Sequence, residues 1–154
     1  LYSSAASDVY KRQTLLSTGV FRVGLLSTVC SLTINEMPEL IEKYHEWNKI
    51  HRVHWYPHLV LPHGNTLFTP TIFDYSVFEK SFDTVINMLS SNSFDEDQSL
   101  KLITGIAAEL KQLSKPNVEQ QKKLLQCMEE IDSRRNLNWR SVFSWLTKEL
   151  DNVV

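Results

Sequence analysis

The chain has 154 residues, 42% of them hydrophobic and 22% charged, which suits one domain with a single core or a part of a larger one. A formal charge of −2 leaves no basic excess to follow a phosphate backbone, so nucleic acid is not an expected partner, and no apolar run approaches the ~18 residues that cross a bilayer. The two cysteines, Cys30 and Cys127, stand apart without CxxC spacing, which excludes a disulfide framework; a soluble, cytoplasmic protein with both thiols in its core is expected.

Ser3 to Gln13, SSAASDVYKRQ, carries no apolar period of either 2 or 3.6. Back-translated, it resembles the read-through of a transposase sequencing adapter at every residue. Residues 1–13 are therefore expected to be an artefactual, adapter-derived segment outside the fold, with the natural sequence beginning near Thr14, partway through a gene. Without Asp8, Lys11 and Arg12 the formal charge is one unit more negative.

FRVGLLSTVCSLT, Phe21 to Thr33, is apolar at both parities and predicts a strand covered on both faces. NEMPELIEKYHEWNKI follows, with Asn35 as N-cap, Pro38 in the first turn, and Leu40, Ile41, Tyr44 and Trp47 at helical spacing. His51 to Leu61 is rich in aromatic and β-branched residues and predicts a second strand, interrupted by Pro57 and closed by the loop signal Pro62-His63-Gly64-Asn65. Strand, helix and strand in this order form a βαβ unit with parallel pairing.

Beyond residue 70 every apolar run has helical spacing. Ser76 with Glu79 reads as a capping box ahead of Phe78, Phe82, Val85, Ile86 and Leu89, and Ser93 with Glu96 as another ahead of Leu100, Ile103, Ala107 and Leu110. Asn117 caps a run carrying Leu124, Leu125, Met128 and Ile131, and Asn138 caps a last helix carrying Trp139, Val142, Phe143, Leu146 and Leu150. The polar break from Ser90 to Asp97 is a loop within the fold, since neither side alone buries its apolar faces. The expected class is α/β and helix-rich: a βαβ remnant in residues 14–70 followed by about four helices in residues 71–154 packed on it.

Five histidines, His45, His51, His54, His58 and His63, fall close together, but their spacing matches no zinc motif. On an extended strand His54 and His58 share one face and His51 takes the other; as satisfied polar groups they need no metal. Nucleophile elbows and glycine-rich phosphate loops are absent, with only four glycines in the chain. No catalytic residue and no metal ligand is nominated. Glu129, Glu130 and Asp132 near Arg134 and Arg135 read as ion pairs on a solvated face.

The order Leu32-Thr33-Ile34-Asn35, Glu36-Met37-Pro38-Glu39-Leu40 and Leu59-Val60-Leu61-Pro62 resembles the later β/α units of radical S-adenosylmethionine enzymes. The tail, with Asp132-Ser133-Arg134-Arg135, Asn138-Trp139, Phe143 and Trp145-Leu146, resembles the closing D-x-x-R-x-x-N-W…F-P-W-L pattern of the twitch-type subgroup found in phage and environmental sequences, with Ser144 in place of proline. The resemblance implies that residues 14–70 are the last units of a truncated barrel and that the parent uses S-adenosylmethionine and a [4Fe–4S] cluster. The family's CxxxCxxC loop is missing, and neither Cys30 nor Cys127 replaces it, so the chain alone is expected to be inactive and to bind no cofactor.

In such a barrel the reacting groups lie at the C-terminal ends of the strands, which nominates Thr33 and Asn35 after the first strand and His63 and Asn65 after the second as cofactor- or substrate-facing residues. Two other readings stand beside this one: a non-enzymatic helical interaction module docking through the aromatic-rich last helix, and a small histidine metal site. The truncated barrel also predicts self-association through an exposed sheet edge.

Overall fold

The computed structural model describes residues 23–50, 52–61, 67–91 and 97–151, together with Thr14 and Ser17. The adapter-like segment, His51, the loop from Pro62 to Asn65 and the Ser93–Glu96 capping box lie outside the described residues. Among the described residues the chain is helix-rich around a two-stranded parallel sheet.

Strand β1, Val23–Val29, pairs in parallel with β2, Val53–Leu59, in a register that sets Leu26 beside Tyr56 and Thr28 beside His58. Phe21 and Arg22 of the expected Phe21–Thr33 lie outside the described residues, and β1 ends before Thr33 because the chain turns at Ser31–Thr33, where the N–H groups of Thr33 and Ile34 both return to the Cys30 carbonyl. Nor is it covered on both faces. Leu25, Ser27 and Val29 with Val53, Trp55, Pro57 and Leu59 turn toward the helices, whereas Gly24, Leu26 and Thr28 are exposed. Both strands are mostly apolar in sequence, so parity alone did not separate the covered face from the open one.

A 3₁₀ turn, Ile34–Glu36, leads into α1, Met37–Asn48, which has Pro38 in its first turn and buries Met37, Ile41 and Tyr44. Asn35 is not its cap. It lies inside the 3₁₀ turn, and its Oδ1 accepts a 2.6 Å hydrogen bond from Ser81 Oγ, tying the turn to the next helix.

That helix, α2, spans Ser76–Ser90 and buries Phe78, Phe82, Val85 and Leu89, the expected stripe. Its capping box does not form, because Ser76 is already helical; the Asp74 carboxylate instead accepts the Ser76 N–H at 2.9 Å. Hydrogen bonding from Ser76, its side chain first and this backbone N–H second, holds the Asp74 carboxyl below the usual carboxylate range. Helices α3, Asp97–Leu113, and α4, Val118–Arg135, follow, the second capped as expected by Asn117, whose Oδ1 accepts the Gln120 N–H at 3.0 Å.

The expected single last helix is two. α5, Trp139–Val142, breaks at Phe143, whose ψ of 62° is not helical, and α6, Ser144–Asp151, resumes. Val142 is thereby left exposed, while Trp139, Leu146 and Leu150 stay buried and the Trp145 ring packs edge-on against Phe73 and Phe78. No helix among the described residues is long and apolar enough to cross a membrane.

Candidate functional site

The two edges of the sheet are not equivalent. The Val60 N–H donates to the Val29 carbonyl at 2.9 Å, so by parallel alternation the backbone groups of Leu25, Ser27 and Val29 face β2, and those of Val53, Trp55, Pro57 and Leu59 face away from β1. That outer edge of β2 is occupied in part. Asn48 Oδ1 accepts the Val53 N–H at 2.8 Å, Ser99 Oγ on α3 donates to the Trp55 carbonyl at 2.8 Å, and Pro57 has no N–H to offer.

The outer edge of β1 is closed only at its C-terminal end. There Thr33 Oγ1 accepts the Cys30 N–H at 3.0 Å and donates to the Thr28 carbonyl at 2.7 Å, in the place a neighbouring strand would take. The outward groups of Gly24 and Leu26 meet no partner among the described residues.

Beyond Val29 and Val60 the ladder opens, and the chain fills the opening with its own backbone. The Ser31 N–H donates to the Phe68 carbonyl at 2.9 Å, and Thr69 Oγ1 lies 3.2 Å from the Val60 carbonyl and 3.0 Å from Thr71 Oγ1. In open parallel sheets such a crevice at the strand ends is where ligands enter. Here it holds Phe68 and Thr69, and the buried Ser31 hydroxyl beside it has no partner among the described residues.

What remains open to a ligand is the face of the sheet turned away from the helices. It carries Leu26 and Thr28 from β1 and His54, Tyr56 and His58 from β2. The His54 and Tyr56 rings stack with centroids 6.3 Å apart, and the Tyr56 ring lies over Gly24, where a Cβ would stand 3.1 Å from its Cε2. Glycine is what lets the ring lie flat there. His54 and His58 do share a face, as alternation predicts, but neither is hydrogen-bonded to another described residue, contrary to the expectation of satisfied groups. Imidazole, phenol and hydroxyl groups on one open surface offer hydrogen bonds and ring stacking to an organic ligand.

Of the nominated residues, Thr33 and Asn35 are described, and both are engaged by protein partners: Thr33 at the edge of β1 and Asn35 against α2. His63 and Asn65 lie outside the described residues. Sequence reasoning favoured residues just after the strands and passed over Thr28, His54, Tyr56 and His58 within them; the same-parity spacing of the two histidines was the available signal. It also missed a groove of about 440 Å³ between Leu67 and the outer face of α4, lined by Gln120, Lys123, Gln126, Cys127 and Glu130.

Cys30 and Cys127 are free thiols, each half-buried rather than enclosed in the core as expected. One follows β1 and the other is on α4, so they do not supply the three thiolates of one loop that a [4Fe–4S] cluster needs. Among the described residues no three side chains of metal-ligating type come together. On the acidic tail, Glu130 pairs with Arg134 and Glu129 with Arg140 at 2.6 Å, but Asp132 accepts a backbone N–H instead of pairing with an arginine. Comparison with family models, with curated proteins and with solved structures finds no match to this chain.

Proposed function

We propose that this chain is the C-terminal part of a radical S-adenosylmethionine enzyme of the twitch type, supplying the closing strands of a partial barrel and the helices packed outside it. The observation that carries this reading is the asymmetry of the sheet. On its outer side β2 is engaged by Asn48 and Ser99 and has no N–H at Pro57, while Gly24 and Leu26 of β1 meet no partner among the described residues, which favours extension of the sheet on the β1 side. A last strand and its predecessor in a barrel that ends at β2 would have this character.

The covered and open faces fit the same reading. In a β/α barrel one parity of each strand packs on the outer helices and the other faces the interior, which here assigns Thr28, His54, Tyr56 and His58 to the inside. These residues bind and orient the organic ligand there. The tail pattern also has a physical basis: Asp132 and Trp139 are joined directly, and Ser144, where the pattern prefers proline, opens α6 at the position where proline is best tolerated. The cluster does not belong to this chain, whose two thiols do not fit it, and no chemical step is assigned to these residues.

Recovery of the adjoining upstream coding sequence tests the reading. An in-frame CxxxCxxC motif is expected, and the complete protein, with its cluster reconstituted, should release 5′-deoxyadenosine from S-adenosylmethionine. A complete upstream reading frame without that motif overturns the proposal.

A further inference from the structure

We infer that the open face of the sheet binds the ring of a neutral sugar, which lies flat on Tyr56 and His54 and is held at its edge by Thr28 and His58. The inference names the class of the organic ligand that the enzyme reading gives to this face, and it rests on that reading.

The platform comes from the backbone beneath it. Side chains ordinarily stand roughly perpendicular to a sheet. A Cβ on Gly24 would lie 3.1 Å from Tyr56 Cε2 and 3.4 Å from Cδ2, so the Tyr56 ring lies across the glycine and along the sheet instead. The His54 ring, two residues away on the same strand, is inclined to it by only 28°, with centroids 6.3 Å apart. Rings in full face-to-face contact sit about 3.5–4 Å apart. These two are displaced sideways and leave most of each other's faces uncovered. Leu26, the register partner of Tyr56 and 75% exposed, extends this flat and weakly polar floor onto β1.

The groups at the end of the floor select the ligand. Thr28 and His58 are register partners, both exposed, and neither side chain is hydrogen-bonded to another described residue. A hydroxyl and a neutral imidazole each donate and accept, as sugar hydroxyls do. The residues that the two strands turn to this face are Gly24, Leu26, Thr28, His54, Tyr56 and His58, with no lysine, arginine, carboxylate or amide among them. That set offers no fixed positive charge to a phosphate and none of the amide or guanidinium forks that read the edge of a nucleobase. A pyranose matches what the set does offer: a face of C–H bonds for the two rings and hydroxyls at its edge for Thr28 and His58.

A saturation-transfer NMR titration of the 154-residue chain with methyl β-D-glucopyranoside tests this, with uridine as the comparison. Saturation should reach the ring C–H protons of the sugar and exceed that on uridine. Tyr56→Phe keeps the platform and should keep the binding, whereas Tyr56→Ala should weaken it by about tenfold. His58→Ala, at an exposed position, should weaken it by about fivefold with an unchanged far-UV circular dichroism spectrum, which keeps the test decisive even where Tyr56→Ala fails to fold. No transfer to the sugar, stronger transfer to uridine, or binding unchanged in His58→Ala or in a folded Tyr56→Ala would each overturn the inference. The upstream CxxxCxxC motif decides the enzyme reading separately: its presence with no transfer to the sugar overturns this inference alone, and its absence with transfer to the sugar overturns that reading alone.

Discussion

The carboxylate of Asp132 accepts the backbone N–H of Trp139 with both of its oxygens, at 2.9 and 3.1 Å. The carbonyl of the same residue accepts from Asn136 and Leu137 as α4 ends. Asn136, at φ 50°, takes the left-handed conformation that asparagine tolerates better than most residues, and the chain reverses there into α5. One aspartate thus both terminates one helix and starts the next, which gives the spacing between Asp132 and Asn138-Trp139 a mechanical meaning.

Asp132→Ala should therefore lower stability by about 1–2 kcal/mol, the range for losing a helix cap. Asp132→Asn keeps one acceptor oxygen and should lose less. Asn138→Ala, at the residue whose identity looks like the cap but whose side chain makes no cap bond, should be close to neutral. Urea unfolding of the three variants reads the order directly, and an Asn138→Ala loss exceeding that of Asp132→Ala would contradict this account.

Much of the framework was legible because burial enforces periodicity. The stripes of α2, α3 and α4, the parallel pairing of β1 with β2, and Asn117 as a cap all follow from residue spacing. Details set by competition between neighbouring polar groups were not legible. Asp74 takes the cap at α2 in place of Ser76, and Asn35 accepts from Ser81 rather than capping α1. The open face of the sheet was hidden because β1 is apolar at both parities, so only the register with His54, Tyr56 and His58 shows which side the helices leave bare.

Two groups make stability fall with acidification, in separate windows. Partial burial, with the Lys49 charge adding to it, pushes the His45 imidazole below its ordinary value of 6.5. The folded state then prefers neutral His45, so this contribution is complete above pH 6.5 and is lost as pH falls through the folded value. Asp74, held below 3.8 by Ser76, contributes above that pH and loses its contribution only in stronger acid. Unfolding free energies measured between pH 8 and 5 should decline for the wild type and decline less for His45→Gln. An equal decline in both would remove His45 as the cause.

Gly24 and Tyr56 should be energetically coupled. A Cβ at residue 24 would meet Tyr56 Cε2 at 3.1 Å, so Gly24→Ala must displace the ring and its stacking with His54. The substitution should cost about 1 kcal/mol in the wild type and less in a Tyr56→Ala background, where nothing stands over the glycine. Equal costs in both backgrounds would show that the ring does not set the limit.

Thr33 ties the end of β1 to the turn that follows it. Its hydroxyl accepts the Cys30 N–H and donates to the Thr28 carbonyl, closing the last part of the β1 edge. Thr33→Val keeps the β-branched shape but offers neither bond, and should lower stability by about 1 kcal/mol, the usual net value of such hydrogen bonds. Thr33→Ser retains the hydroxyl and should lose less. Urea unfolding of the two variants reads the order directly. A valine variant as stable as the wild type would show that these two bonds add nothing to the end of β1.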